Sequence, residues 1–236
     1  MSAYRTPVRA VLIGNRDDTD PGLVGHALRR HGYSFTEFAR EEPDSWSEPG
    51  SLDLVVSLGS SWSTYWPQVA RETSAERDFL AAIHSRGVPI LGICFGGQQL
   101  AGALGGTVER SQTHEVGWHA VSSIAEATVA GAEVLAGEWF QWHYDRFSVP
   151  AGATALAESP VSPQAFLAGR SLGLQFHPEV TVSIVGHWSS GEGEAELRQL
   201  GLDRSELLAE TAAKVDIVVP RTHALVDWFV TNIAHS

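Results

Sequence analysis

The sequence predicts an α/β fold: an open, mostly parallel sheet flanked by helices, with a small antiparallel side sheet and a helical C-terminal extension. Three observations carry this reading. Short runs at 8–14, 52–58, 90–93 and 172–176 are apolar on both faces, as central parallel strands are. Helix-compatible segments separate the first three, giving a βαβ organisation. Beyond Val180 the character changes to helix.

The first strand is VRAVLIG, residues 8–14. NRDDTDPG then forms a polar loop, and Asp20 is placed to cap a helix over 21–31. Residues 33–38 alternate as a second strand. AREEPDSWSEPG, 39–50, is a turn-rich acidic connection to the third strand at 52–58. The loop 59–66 lies beyond a strand C-terminus, where open α/β sheets place ligands. Residues 67–84 are helical in composition, with Val69, Phe79, Leu80, Ala82 and Ile83 partly matching one face. Gly87 stops that helix and Pro89 opens the next strand.

The stretch PILGICFGGQQLA, 89–101, organises the chain. Ile90–Ile93 reads as a buried parallel strand, Cys94 follows at once, and a helix-compatible run begins after it. Such a corner must turn tightly, which Gly92 and Gly96 permit, and it pushes the side chain at its apex out of the backbone path. Cys94 would then sit at a helix N-terminus, where free N–H groups favour a thiolate. A lone cysteine in an apolar run is otherwise a small buried hydrophobe.

After the helix, Gly105 and Gly106 close a turn. Residues 107–108 and 116–124 read as antiparallel or edge strands, and 153–158 and 164–168 as two more. The run SLGLQFHPEV then ends a buried strand in His177, Pro178 and Glu179. A thiol nucleophile needs a base, and the base needs a partner to fix its tautomer and steady the imidazolium. Residues two apart on an extended segment point to the same side. Cys94, His177 and Glu179 therefore form a candidate triad. The expected C-terminal helices cover 181–189, 192–200, 203–215 with Asp203 as N-cap, and 222–234.

Together GICFGGQQLA around Cys94, LGSSWSTYW at 58–66, EVGWHAV at 115–121, QWHYDRF at 141–147 and GLQFHPEV at 173–180 resemble class I, triad-type glutamine amidotransferases. Within them the chain is most similar to stand-alone proteins like the glutaminase half of GMP synthase. The resemblance covers roughly residues 8–185 and implies flavodoxin-like layers with the antiparallel strands in a small sheet beside the main one. It divides the chain into a catalytic domain, 1–185, and a helical extension, 186–236, packed on the same domain.

The resemblance also implies site roles. The oxyanion formed by attack on an amide needs two donors, typically backbone N–H groups. One is the N–H of Phe95, next after the nucleophile. The other is implied to be the N–H of Ser60, in the loop where Gly59, Ser60, Ser61, Trp62 and Ser63 align with the family's GGPxS. Here Ser60 replaces a glycine and Ser61 the proline, so a backbone requirement for positive φ at Ser60 would be resisted. Gly59 and Gln98 are implied as substrate contacts. His143 and Asp145 line a substrate mouth or a docking surface without assigned chemistry, and His114, His119 and His143 are read as packed side chains.

The substrate expected is glutamine or another γ-glutamyl amide. Three readings stay open: a glutaminase passing ammonia to a separate synthase, a γ-glutamyl hydrolase acting on a larger γ-glutamylated amine or peptide, and a non-catalytic binding protein with this fold. A wide mouth lined by Trp62, Trp66 or Trp142 would suit the second. The 16 basic and 28 acidic residues, net charge −12, argue against nucleic acid or an anionic membrane as partner. No apolar run approaches the length of a spanning helix, and one cysteine cannot form an internal disulfide, which fits a reducing cytoplasm. One cysteine and no HExxH give no closed metal site, and no cofactor fingerprint is present.

Overall fold

The computed structural model describes residues 8–47, 51–124 and 129–235. Residues 48–50, the end of the predicted acidic connection, lie outside them. The strands are β1 (Val8–Gly14), β2 (Tyr33–Ala39), β3 (Leu54–Ser57), β4 (Ile90–Ile93), β5 (Val108–Ser123), β6 (Gly137–Phe147), β7 (Thr154–Glu158), β8 (Pro163–Ala168) and β9 (Ser171–Leu174). The helices are α1 (Gly22–Arg30), α2 (Ala70–Ser85), α3 (Phe95–Ala103), α4 (Val182–Trp188), α5 (Glu192–Gln199) and α6 (Arg204–Phe229), which runs into a π turn at Val230–Ala234.

The strands form one sheet in the order β2-β1-β3-β4-β9-β8-β7-β5-β6. From β2 to β9 all pairs are parallel, and from β9 onward they are antiparallel. β3, β4 and β9 are buried along their whole lengths, which is why they read as continuous apolar runs. The antiparallel part is dominated by the long β5–β6 ribbon, joined to the rest through β7.

Three boundaries differ from expectation. The strands expected at 107–108 and 116–124 are one strand, β5, whose register against β6 shifts between Arg110 and Glu115; the polar residues at that irregularity hide its continuity. The first helix starts at Gly22 with Pro21 at its N-cap position, while Asp20 Oδ1 accepts the Gly22 N–H at 2.9 Å from one residue further out. The helices expected at 203–215 and 222–234 are one helix, α6, with Pro220 inside it. Pro220 lies on the exposed face, and burial of Val218, Thr222, Leu225, Val226, Trp228 and Phe229 carries the helix past it. Asp203 is the N-cap, its Oδ1 accepting from the N–H groups of Ser205 and Glu206 at 2.8 and 3.0 Å.

α6 shares the main core with α1 and the inner strands: Leu225, Val226, Trp228 and Phe229 lie in the cluster that holds Val24, Leu28, Leu172, Leu174 and Phe176. It also reaches the 177–179 corner, where the Thr222 hydroxyl donates to the Pro178 carbonyl at 2.8 Å.

Candidate active site

The sheet order assembles the site. β3, β4 and β9 are adjacent and parallel, so the loops leaving their C-terminal ends emerge side by side. They carry Gly59–Ser60, Cys94 and His177–Glu179.

Cys94 has φ 50° and ψ −108°, and it alone among the described non-glycine residues has a positive φ. That conformation is disfavoured for an L side chain. The corner is held by Cys94 N–H to Leu174 O at 2.8 Å, Gly96 N–H to Leu58 O at 3.1 Å and Gln98 N–H to Cys94 O at 2.9 Å. Its glycines are needed for close approach. A Cβ on Gly96 would sit 2.1 Å from Ser57 O, one on Gly92 2.6 Å from Gly96 O, and one on Gly97 2.3 Å from Leu174 O. Gly97, silent in the sequence, lets the new helix lie against β9.

His177 is anchored by its N–H to Phe140 O at 2.8 Å. Its Nδ1 lies 2.7 Å from Glu179 Oε1, and both side chains are buried. Nε2 is buried and makes no hydrogen bond among the described residues. Burial of the ring opposes protonation, but the Glu179 carboxylate, followed by the Cys94 sulfur, outweighs it and raises the His177 pKa well above the ordinary histidine value. Cys94, His177 and Glu179 thus come together in the order expected of nucleophile, base and orienting acid.

The other expected site residues fall around them. A Cβ on Gly59 would sit 2.9 Å from His177 Cε1 and 3.8 Å from Cys94 Cβ, so the glycine is pressed against both. Ser60 does not have a positive φ, and its hydroxyl accepts the Trp62 N–H at 3.1 Å. Phe95 opens α3, where the first N–H groups of a helix lack intrahelical acceptors. Gln98 is buried, its Nε2 directed to Asp145 O at 3.2 Å and Gln175 Oε1 at 3.4 Å. His143 is a packed, hydrogen-bonded side chain, with Nε2 3.1 Å from Glu115 Oε2 and Nδ1 3.0 Å from Asp145 O. Trp66 is exposed, Trp62 and Trp142 are half-buried, and Trp142 Nε1 donates to Glu196 at 3.1 Å.

Two neighbours of the triad escaped the sequence reading. Gln175 Nε2 approaches Cys94 Sγ at 3.7 Å; its place two residues before the base, in the segment that leaves β9, is the signal that would have found it. Trp188 packs edge-on to His177, ring centroids 4.8 Å apart, and donates to Asp18 Oδ2 at 2.8 Å. Burial raises the Asp18 pKa against that hydrogen bond, with a further contribution from Glu179. Beside them opens a cleft of about 360 Å³ lined by residues 16–20 with Ser183, Ile184 and His187. Among the described residues there is no group of three His, Cys, Asp or Glu side chains arranged to hold a metal, and no helix long and apolar enough to cross a membrane.

A mixed α/β sheet with a cysteine at a strained strand-to-helix corner and a His–Glu pair just past the end of the neighbouring strand defines a class. The chain belongs to the class-I glutamine amidotransferase family, whose model matches residues 67–187. That stretch contains Cys94, His177 and Glu179. The glutamine-hydrolyzing GMP synthase of Helicobacter pylori is 42% identical over 170 residues, covering 70% of this chain and 31% of that protein. The GMP synthase of Vibrio vulnificus is 33% identical over 144 residues, covering 59% of this chain and 27% of that protein. The chain spans less than a third of the length of these relatives. A glutamine amidotransferase structure from Thermotoga maritima matches with a TM-score of 0.85 at 27% identity, covering 96% of this chain and 100% of that one. A glutamine amidotransferase from Methylobacillus flagellatus shares the fold, with a TM-score of 0.77 at 23% identity over 96% of this chain and 95% of that one.

Proposed function

We propose that this amidotransferase hydrolyses the γ-amide of glutamine through a γ-glutamyl thioester on Cys94 and passes the ammonia to a separate synthase. The observation that carries the reading is the Cys94–His177–Glu179 arrangement at the ends of two adjacent strands. His177 takes the thiol proton and the sulfur attacks the side-chain carbonyl carbon. The oxyanion is held by the N–H groups of Ser60 and Phe95. The carbon–nitrogen bond then breaks, and His177 gives its proton to the departing ammonia. Water, activated by the same imidazole, cleaves the thioester and releases glutamate. Glu179 keeps Nδ1 occupied, so that Nε2 does the proton transfers. Gly59 and Gln98 shape the pocket for the amino-acid end of the substrate. We also assign the protein to the cytoplasm, as a catalytic domain, 1–185, with its helical extension, 186–236, packed on it.

One observation favours a second reading. The cleft lined by Asp17, Asp18, Asp20 and His187 lies on the far side of Trp188, whose ring packs on His177 and whose Nε1 donates to Asp18, so displacement of that ring would open room for a leaving group larger than ammonia. A γ-glutamylated amine would then be the substrate, through the same thioester. The test is glutamate release by the isolated chain from glutamine and from a panel of γ-glutamyl amines, with Cys94→Ala as control. Glutamine turnover supports the first reading and cleavage of the larger amides alone the second. Absence of any Cys94-dependent release would contradict both and leave a binding protein.

A further inference from the structure

Arg40 lies one residue past β2, inside the stretch whose composition reads as a turn-rich acidic connection, yet it is 0% exposed. Its guanidinium is spent on one region. Nε donates to Glu76 Oε2 at 2.7 Å, Nη1 to Asn15 Oδ1 at 2.7 Å and to Gly59 O at 3.2 Å, and Nη2 to Leu58 O at 3.0 Å. The Ser57 hydroxyl donates to Glu76 Oε1 at 2.6 Å. Arg40 Cζ also stands 4.7 Å from the centroid of the Phe95 ring. One buried cation therefore touches the Gly59–Ser60 peptide, which carries one proposed oxyanion donor, and the ring of Phe95, the residue whose backbone N–H is the other.

The consequence follows from peptide planarity. The Gly59 carbonyl and the Ser60 N–H belong to the same unit, which is trans, so they point in opposite directions. Drawing the carbonyl toward Arg40 turns the N–H away from it. Gly59 itself lies against His177 and Cys94. The same guanidinium holds Leu58 O, which also accepts the Gly96 N–H of the elbow.

We propose that Arg40, braced by Glu76, is the positioning residue that fixes the Gly59–Ser60 peptide with its N–H turned into the Cys94 pocket, so that the oxyanion hole is formed before substrate arrives. This rests on the amidohydrolase reading above. It also explains how serine at 60 is tolerated: the peptide is oriented by its carbonyl, with no positive φ at Ser60.

The test separates oxyanion stabilisation from nucleophile chemistry. Removing Arg40 alone would strand a buried Glu76 charge, so the main variant is the double Arg40→Met, Glu76→Leu, since apolar replacement of a buried ion pair is often neutral or stabilising. With glutamine or whichever γ-glutamyl amide the wild-type chain turns over, the double variant should lose kcat by about 10² or more with KM changed by less than about threefold. Its Cys94 should react with iodoacetamide at the wild-type rate, because that displacement builds no oxyanion. Arg40→Lys, which keeps the charge but reaches fewer acceptors, should retain an intermediate kcat. Should the double variant not fold, Arg40→Lys decides by the same two readouts. Unchanged kcat overturns the proposal, as does an equal fall of kcat and alkylation rate, which would mean a structural role only. A wild-type chain with no Cys94-dependent turnover defeats the amidohydrolase reading itself, and this inference with it.

Discussion

Glu179 and Gly59 set the position and proton affinity of His177, and each yields a prediction at the residue scale. Glu179→Gln keeps the side-chain volume but removes the charge beside Nδ1, and it should lower kcat by at least about 10² under steady-state assay. The same pair is linked to stability. The folded chain binds the His177 proton more tightly than the unfolded chain, whose histidine titrates near about 6.5. The resulting stabilisation is fully present below that value and is lost as pH rises through the raised folded pKa. Urea midpoints of wild type and Glu179→Gln should therefore differ most near about pH 6 and converge as pH rises; a gap that widens with pH would contradict the assignment. Gly59→Ala places a methyl group 2.9 Å from His177 Cε1, so the base must shift. Turnover should fall by about 10-fold or more, and the iodoacetamide reaction at Cys94 should slow as well, because the displaced base no longer generates the thiolate.

Among the elements, α6 links the helical tail to the site. Thr222→Val removes the donor to the buried Pro178 carbonyl while keeping the shape. It should cost about 1–3 kcal/mol in denaturant unfolding and lower kcat, because the 177–179 corner loses its brace. Pro220→Ala should act oppositely, restoring one helix hydrogen bond at an exposed position and raising stability by up to about 3 kcal/mol, with turnover unchanged. The elements also mark where sequence reading succeeds. β3, β4 and β9 were legible because strands buried on both faces leave no polar alternation, and Cys94 because its glycine spacing permits few other backbones. The continuity of α6 was not, since proline speaks for a break and the burial that overrides it is tertiary. Arg40 and Glu76 were hidden for the same reason: no local pattern pairs them, and only the packing of β2 against β1 and of α2 against α3 and β4 brings them together in the interior.

Across the whole molecule, the site depends on sheet order. Exchanging β4 with either neighbour would separate Cys94 from the base or from the oxyanion loop, although each motif would survive in the sequence. On the proposed reading, ammonia released at Cys94 leaves this chain for a separate synthase. The isolated protein should then release glutamate and ammonia in equal amounts, read by parallel enzymatic assays. The central claim, a γ-glutamyl thioester on Cys94, is tested most directly by acid-quenching the protein during turnover of glutamine and taking its intact mass. The account predicts an adduct of one γ-glutamyl group that maps to Cys94, is absent from Cys94→Ala and is released by hydroxylamine. Glutamate production without any such adduct, or with turnover preserved in Cys94→Ala, would contradict it.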